Sequence, residues 1–220
     1  MDDIPELVHG FTAERSLSFS ADPTDPAWDD LAARAGFPTG QVALVRQVHG
    51  STVRHVSEPG LAGDGDALIT AQDGLLLTIR VADCVPILLC GPGRQIAAVH
   101  SGWRGTAADI VAATVQALGG PPRAAVIGPC ISAARYEVGD EVVAGILSAG
   151  VPEEVFVRRD LGARPHVDLR AAITWQLHRS GVTAVSAMPQ CAFEDERLHS
   201  FRRDRERSGR MAAFIGWLPS

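Results

Sequence analysis

Three apolar runs, separated by only a few residues, place the strongest constraint on how this 220-residue chain can fold. The runs are Leu75–Val81, Val85–Cys90 and Ile96–Val99. Each has the length of a buried β-strand, and turn residues separate the second run from the third. The sequence therefore predicts that these runs form neighbouring strands in the interior of the molecule.

Residues able to bind a metal stand at the ends of these runs. Cys84 follows Asp83 between the first two runs, and His100 ends the third. Upstream, His49 closes another strand-like run, Val42–Val48. Two imidazoles and one thiolate form a donor set that suits zinc, and three protein ligands leave a fourth position open, as in catalytic zinc sites. We therefore predict a metal site formed by His49, Cys84 and His100.

Composition and charge argue against several classes of protein. The net charge of −6 lacks the basic surplus of a nucleic-acid-binding protein. No apolar run approaches the roughly 20 residues of a membrane-spanning helix, and the acidic N-terminal segment lacks the features of a signal peptide. The four cysteines do not suggest a secreted disulfide framework. We expect a cytoplasmic protein, either a monomer or a weak homodimer, that binds neither nucleic acid nor membranes.

Helical and strand-like patterns alternate without a low-complexity linker, which favours one α/β domain. Asp25 before Pro26, and Asp168, are expected to cap helices, and Thr106 with Asp109 resembles the start of another. The segment Ser51–Ser57 is interpreted as the hairpin partner of Gln41–His49, with 60–65 as a loop.

Several motifs resemble those of the YfiH/YlmD-type family, long labelled multicopper polyphenol oxidases (laccases) and later described as purine nucleoside phosphorylases with adenosine deaminase activity. The motifs occur in the family's order within residues 41–216. They are RQVHG (Arg46–Gly50), DALIT (Asp66–Thr70), ADCVPILL (Ala82–Leu89), AVHSGWRGT (Ala98–Thr106), IGPCI (Ile127–Ile131), YEVGDEV (Tyr136–Val142) and SFRRD (Ser200–Asp204). Residues 1–40 diverge, because this segment is shortened and lacks glycines that family members usually carry.

The resemblance implies a fold, a cofactor and an activity. The fold is a single-domain α/β (α+β) four-layer α-β-β-α sandwich over residues 1–220, and the metal held by His49, Cys84 and His100 is zinc. The activity is phosphorolysis of adenosine, inosine, guanosine and methylthioadenosine by phosphate, together with deamination of adenosine. Zinc with an open position lowers the pKa of bound water to about 7, which suits attack at purine C6.

Phosphorolysis also requires an anion site, and two arginines near the motifs are candidates for it. Arg104 lies in a turn before a helix, where backbone N–H groups and a guanidinium can hold an anion. Arg46 is a second candidate, although a regular strand would point it away from His49. Asp66 is expected to contact the substrate. Arg202 belongs to a mixed-charge segment that is typical of a solvated face, yet it also falls within a family motif.

The candidate catalytic residues are Asp83 and Cys130, and each permits more than one interpretation. In a regular strand Asp83 would point away from Cys84 and stabilise the fold, whereas a bulge would let it act as a proton acceptor. Asp66 and Glu137 are the other candidate proton shuttles. Cys130, which follows Gly-Pro, is interpreted as a nucleophile, as a wall of the pocket or as packing.

Three other functions are alternatives to nucleoside chemistry. The first is an amide hydrolase that edits peptidoglycan precursors, and the second is a zinc-stabilised partner protein without enzymatic activity. The third is a copper-dependent polyphenol oxidase. A blue-copper centre favours an axial methionine, but Met1, Met188 and Met211 are all distant from the motifs in sequence, and the paired His-x-His elements of a laccase are absent.

Overall fold

Two β-sheets packed face to face form the centre of the fold, because the inner strands carry apolar residues on both faces. The computed structural model describes residues 1 and 3–219. Its strands are β1 (Leu7–Phe11), β2 (Val42–Arg46), β3 (Val53–His55), β4 (Gly60–Asp64), β5 (Ala67–Thr70), β6 (Leu76–Val81), β7 (Val85–Cys90), β8 (Ile96–Ser101), β9 (Ala124–Ile127), β10 (Val157–Arg158), β11 (His166–Val167), β12 (Val185–Ala187) and β13 (Met211–Trp217).

The first sheet has the strand order β1-β13-β6-β2-β4, and the second has the order β12-β9-β7-β8-β5-β3, while β10 and β11 form a separate pair. The helices are α1 (Pro26–Arg34), α2 (Trp103–Ala107), α3 (Ile110–Ala117), α4 (Asp140–Ser148), α5 (Glu153–Phe156), α6 (Leu169–Arg179) and α7 (Phe201–Asp204).

Three hydrophobic clusters divide the molecule into four layers. One cluster, which includes Leu77 of β6 and Leu88 of β7, lies between the two sheets. A second joins α1 to the outer face of the first sheet through Trp28 and Leu44. The third packs α3, α4 and α6 against the outer face of the second sheet. The predicted α-β-β-α sandwich and its organisation as a single α/β domain are confirmed.

The local signals for two helices are also confirmed. The Asp25 carboxylate accepts a hydrogen bond from the Ala27 N–H at the start of α1, and Asp168 accepts one from Ala171 at the start of α6. Asp109 rather than Thr106 caps α3, because the chain first forms the short helix α2. The predicted single helix start is therefore replaced by two consecutive helices.

Two predictions on strand pairing are wrong. The strand within Ser51–Ser57, β3, belongs to the second sheet, where it pairs in parallel with β5. Residues 60–65 are not a loop, because β4 pairs in parallel with β2 at the edge of the first sheet. A short connection normally favours a hairpin, but here the chain crosses from one sheet to the other after β2. Among the described residues, none of the helices is long and apolar enough to cross a membrane.

The inter-sheet cluster should carry much of the stability, and Leu88 is a direct test because its side chain is 0% exposed. Replacing a fully buried leucine by alanine removes apolar contacts and leaves a cavity, so we expect Leu88→Ala to lower the free energy of unfolding by about 2–5 kcal/mol in urea titrations. Leu161→Ala, at a position 45% exposed, is the control and should change it by less than about 0.5 kcal/mol. Equal effects of the two substitutions would contradict this account of the core.

Candidate metal centre

His49, Cys84 and His100 converge where strand ends of the two sheets meet. Their ligand atoms all lie within 4.8 Å of one another. In tetrahedral zinc sites, bond lengths of about 2.0–2.3 Å place the ligand atoms roughly 3.3–3.6 Å apart, so modest side-chain rotations would complete the geometry. A soft thiolate with two imidazoles is also the donor chemistry that such a metal prefers. This group can therefore hold a metal ion.

The buried carboxylate of Asp66 organises two of the three candidate ligands. Its Oδ1 atom accepts a hydrogen bond from His100 Nδ1 at 2.8 Å and one from the His49 N–H at 3.0 Å. Its Oδ2 atom accepts from the N–H groups of Gly50 at 2.7 Å and Val48 at 3.3 Å. Asp66 thereby fixes the His100 tautomer, leaves Nε2 of that ring free for a metal, and holds the turn that carries His49.

Unusual backbone positions aim the side chains of this centre. His49 has a φ angle of +61°, and Asp83, beside Cys84, has a φ of +83°. Such angles are uncommon for residues other than glycine and persist where surrounding contacts hold them. A Cβ on Gly102 would lie 3.0 Å from Cys84 Sγ and 3.2 Å from His49 Cδ2, so the absence of a side chain there makes room for both ligands.

The charges of the neighbouring groups favour an ionised thiol. Burial alone would oppose ionisation of Cys84, but the His100 and His49 imidazoles outweigh it and lower the pKa of Cys84 to about 6. Burial would likewise lower the pKa of His100, but Cys84 and Asp66 raise it to about 9. Burial also opposes ionisation of Asp66, yet hydrogen bonds from His100 and the backbone keep its pKa below the usual value.

The candidate metal centre lies in a cavity of about 450 Å³, a size typical of small-molecule sites. Tyr136, Phe201 and Arg202 line it, together with Arg80 and Arg210. Of these five, only Arg202 was a candidate from the sequence. The signal for Arg80 is a single charged residue within a buried strand, and the signal for Tyr136 and Phe201 is the family motifs that contain them.

Asp83 also lines the cavity and lies in a turn, outside regular strand geometry. Its carboxylate accepts hydrogen bonds from Ser200 Oγ and from the Arg202 N–H, both at 2.7 Å. Burial raises the pKa of Asp83 despite these bonds. Of the two interpretations that the sequence left open, the irregular backbone therefore agrees with the one that turns Asp83 towards the site.

The structure places Asp66 and Cys130 away from the cavity surface. Asp66 is 0% exposed beneath His100, so the predicted substrate contact is corrected to a role in positioning the two histidines. Cys130 is also 0% exposed, and burial raises its pKa to about 12. A nucleophile must be reachable and ionisable, so the predicted catalytic role of Cys130, and its alternative as a pocket wall, are corrected to packing beside Cys191.

The two predicted phosphate-binding arginines do not line the cavity. Arg46 is exposed and pairs with Asp64 on the neighbouring strand, because the regular strand directs it away from His49. Arg104 is exposed and lies over the ring of Trp103, with 4.4 Å from its Cζ atom to the ring centroid. Neither arginine therefore belongs to the cavity wall, and their role in binding phosphate stays a prediction. Met211, which is distant from the motif residues in sequence, pairs with Val81 and belongs to the core cluster against which Cys84 packs.

The lowered pKa of Cys84 predicts a distinctive reactivity in metal-free protein. Alkylation requires the thiolate, so its rate at Cys84 should rise with a midpoint near pH 6 and should already be near its maximum at pH 8. Mass spectrometry after timed iodoacetamide treatment would measure it, with the inaccessible Cys130 as internal control. A midpoint near pH 9 for Cys84 would contradict the ion pair with His100.

The role of Asp66 is tested by Asp66→Asn. The amide presents N–H donors where Asp66 accepts hydrogen bonds from His100 and Gly50, so the histidines should lose their orientation. We expect zinc affinity, measured by chelator competition, to fall about 10–100-fold. The control is Asp64→Asn, two residues away on the exposed edge strand, which should leave the affinity unchanged. Equal affinities for both variants would show that Asp66 does not organise the centre.

The chain is similar to proteins of known sequence and structure over nearly its whole length. A family model described as multi-copper polyphenol oxidoreductase laccase matches residues 25–218. A protein named purine nucleoside phosphorylase from Deinococcus radiodurans is 41% identical over 192 residues, covering 84% of this chain and 74% of the relative. One of the same name from Corynebacterium glutamicum is 37% identical over 199 residues, covering 86% and 79%.

Solved structures show the same fold. YlmD from Geobacillus stearothermophilus superposes with a TM-score of 0.85 at 30% identity, covering 97% of this chain and 93% of that one. The YfiH protein of Bacillus licheniformis superposes with a TM-score of 0.87 at 23% identity, covering 98% and 94%. With the matched family model and these neighbours, the chain belongs to the YfiH/YlmD-type family of multi-copper polyphenol oxidoreductase laccase proteins.

Proposed function

We propose that this protein is a zinc-dependent enzyme that cleaves purine nucleosides with phosphate and also deaminates adenosine. The observation that carries the proposal is the convergence of His49, Cys84 and His100 in a cavity of about 450 Å³. Relatives named purine nucleoside phosphorylase, at up to 41% identity, support an enzyme of this class. The proposed substrates are adenosine, inosine, guanosine and methylthioadenosine.

His49, Cys84 and His100 would hold the zinc ion, and Asp66 would orient His100 through the hydrogen bond to its Nδ1 atom. When bound, zinc with an open position supplies Lewis-acid polarisation and an acidified water, which suits displacement at a purine ring. With a pKa of about 6, the Cys84 thiol is ionised at neutral pH, whereas His100, with a pKa of about 9, must lose a proton before its ring can bind the ion, so zinc binding would release a proton.

The remaining cavity residues are suited to binding a nucleoside and moving a proton. Tyr136 and Phe201 offer aromatic rings, and purines stack well on such rings. Burial raises the pKa of Tyr136 to about 12, so its hydroxyl remains a hydrogen-bond donor at neutral pH. Asp83 is the carboxylate with access to the cavity, and its raised pKa suits a group that takes up and returns a proton to the purine.

The ligand set also bears on the two main alternatives. Among residues 1 and 3–219, the His49–Cys84–His100 group is the one cluster of three or more histidine, cysteine or acidic side chains arranged for a metal. A multicopper oxidase requires further copper ligands, so the cluster favours a single-ion enzyme. Hydrolysis of an amide through a Cys130 nucleophile is disfavoured by the burial of that thiol.

The proposed function is tested with purified protein loaded with zinc. Each of the four nucleosides is incubated with phosphate, and the free base and the sugar 1-phosphate are separated by chromatography, together with inosine where adenosine is the substrate. We expect turnover in the wild type and at least about a 100-fold loss in Cys84→Ala, since metal catalysis contributes several kcal/mol. Cys90→Ala is the matched control, because Cys90 is a buried cysteine at the far end of β7 and should retain turnover.

Elemental analysis of the same samples provides a readout independent of activity. We expect about one zinc per chain in the wild type and Cys90→Ala, and loss of the ion in Cys84→Ala. The proposal fails if the wild type shows no turnover above Cys84→Ala, or if both variants retain equal activity. Stoichiometric copper with an intense blue band would instead support the oxidase alternative.

A further inference from the structure

Arg80 and Arg210 project from one face of the first sheet. In the antiparallel pairing of β6 with β13, Arg80 lies opposite Ala212. Arg210 precedes Ala212 by two residues, and side chains two apart along an extended segment share a face. Both arginines line the same cavity as the candidate metal centre. The pairing register thus brings together two guanidinium groups that are 130 residues apart in sequence.

No carboxylate of the described part of the chain neutralises this pair of positive charges. Among residues 1 and 3–219, neither Arg80 nor Arg210 forms an ion pair with an acidic side chain. The guanidinium of Arg210 donates to the carbonyl oxygens of Ser208 and Gly209, both at 2.9 Å. Burial, together with the charge of Arg210, lowers the pKa of Arg80. Two partly buried like charges without a counterion are costly unless an anion joins them.

Few negatively charged groups of the cavity compete with such an anion for the two arginines. Asp83 is the carboxylate among its lining residues, and that group is already bound by Ser200 Oγ and the Arg202 N–H. The guanidinium of Arg202 donates to the Glu137 carbonyl oxygen at 3.1 Å and lies over the Tyr136 ring, and its charge acts on the Asp83 carboxylate. Arg210 also contacts carbonyl oxygens and an aromatic ring, that of Phe201, but these contacts do not neutralise its charge. Among the described residues, Arg80 and Arg210 are therefore the cavity arginines whose charge no cavity carboxylate offsets.

We propose that Arg80 and Arg210 bind the phosphate dianion that serves as the second substrate of this enzyme. The inference rests on the proposed phosphorolysis and assigns the anion site that this reaction requires. A guanidinium presents N–H donors in a planar fork that matches phosphate oxygens, and two such forks suit a doubly charged anion. The site replaces the predicted one at Arg46 and Arg104, which both lie outside the cavity lining.

The phosphate held there would act directly on the nucleoside. One phosphate oxygen forms a bond to C1′ of the ribose as the bond from C1′ to purine N9 breaks. The electron pair of that bond moves to the purine, which takes a proton from solvent. The products are ribose 1-phosphate and the free base, so atoms and charge balance without any further reactant. Arg80 and Arg210 orient the attacking oxygen and should affect phosphate far more than nucleoside.

The test measures phosphate binding separately from turnover. Inorganic phosphate is titrated calorimetrically into the zinc-loaded full chain as wild type, Arg80→Gln and Arg210→Gln, and kinetics at saturating inosine give the KM for phosphate. Since hydrogen bonds to charged groups contribute roughly 1.5–3 kcal/mol, we expect each substitution to weaken phosphate binding about 10-fold or more. Inosine affinity should change by less than about 2-fold, because each substitution removes a bidentate donor to phosphate rather than to the nucleoside.

Matched variants separate a specific contact from a general loss of charge or fold. Arg159→Gln removes an arginine that pairs with Glu153 on the surface, outside the cavity lining, and should leave phosphate affinity unchanged. Arg80→Lys retains a positive charge and should retain more of the affinity than Arg80→Gln. Thermal unfolding identifies any variant that fails to fold, in which case Arg210→Gln and Arg80→Lys provide the test.

The outcomes distinguish this inference from the proposed function. If Arg80→Gln and Arg210→Gln both bind phosphate as tightly as the wild type does, the proposed phosphate site is wrong. If adenosine 5′-monophosphate binds through Arg80 while inorganic phosphate does not bind the wild type, the anion belongs to a nucleotide and the second-substrate role is overturned. If phosphate binding depends on both arginines but no nucleoside is cleaved, the anion site stands and the proposed phosphorolysis fails.

Discussion

The buried carboxylate of Asp66 is the interaction on which the candidate site depends. It accepts hydrogen bonds from three consecutive backbone N–H groups, at Val48, His49 and Gly50, and from the His100 ring. Burying such a charge is tolerated only because it is fully hydrogen-bonded. One side chain therefore joins the turn after β2, in the first sheet, to the end of β8, in the second, so that the two histidines face one thiol.

Much of this arrangement could be predicted from the sequence, because the three ligands end apolar runs and the motifs are specific. The position of Asp66 could not, since it depends on the pairing of β5 with β8. In that register Ala67 lies opposite Val99, which brings Asp66 beside His100. Periodicity indicates the face of a strand but not its partner, so a buried acid directly before a strand is easily taken for a substrate contact.

The same limit explains the errors in pairing and in the choice of arginines. A short connection after β2 suggested a hairpin, yet β3 pairs in parallel with β5 in the other sheet. Arg46 and Arg104 lie close to His49 and His100 in sequence, whereas the arginines that line the cavity come from β6, from α7 and from the residue before β13. Arg80 was nevertheless conspicuous, as the one charged residue in the run Leu75–Val81. A charge that interrupts a buried strand usually has a functional or structural partner.

Charge balance connects the metal centre to the arginine pair. A divalent ion between His49, Cys84 and His100 would be matched by two negative charges, the Cys84 thiolate and the Asp66 carboxylate behind His100. The centre would then be close to neutral overall, and it would neither attract nor repel a phosphate strongly. The charges of Arg80 and Arg210 would remain uncompensated at the cavity wall and equal in magnitude to those of a phosphate dianion. Within one cavity, the donor set thus suits a cation, whereas the two guanidinium groups suit an anion, which is the combination that a metal-dependent phosphorylase requires.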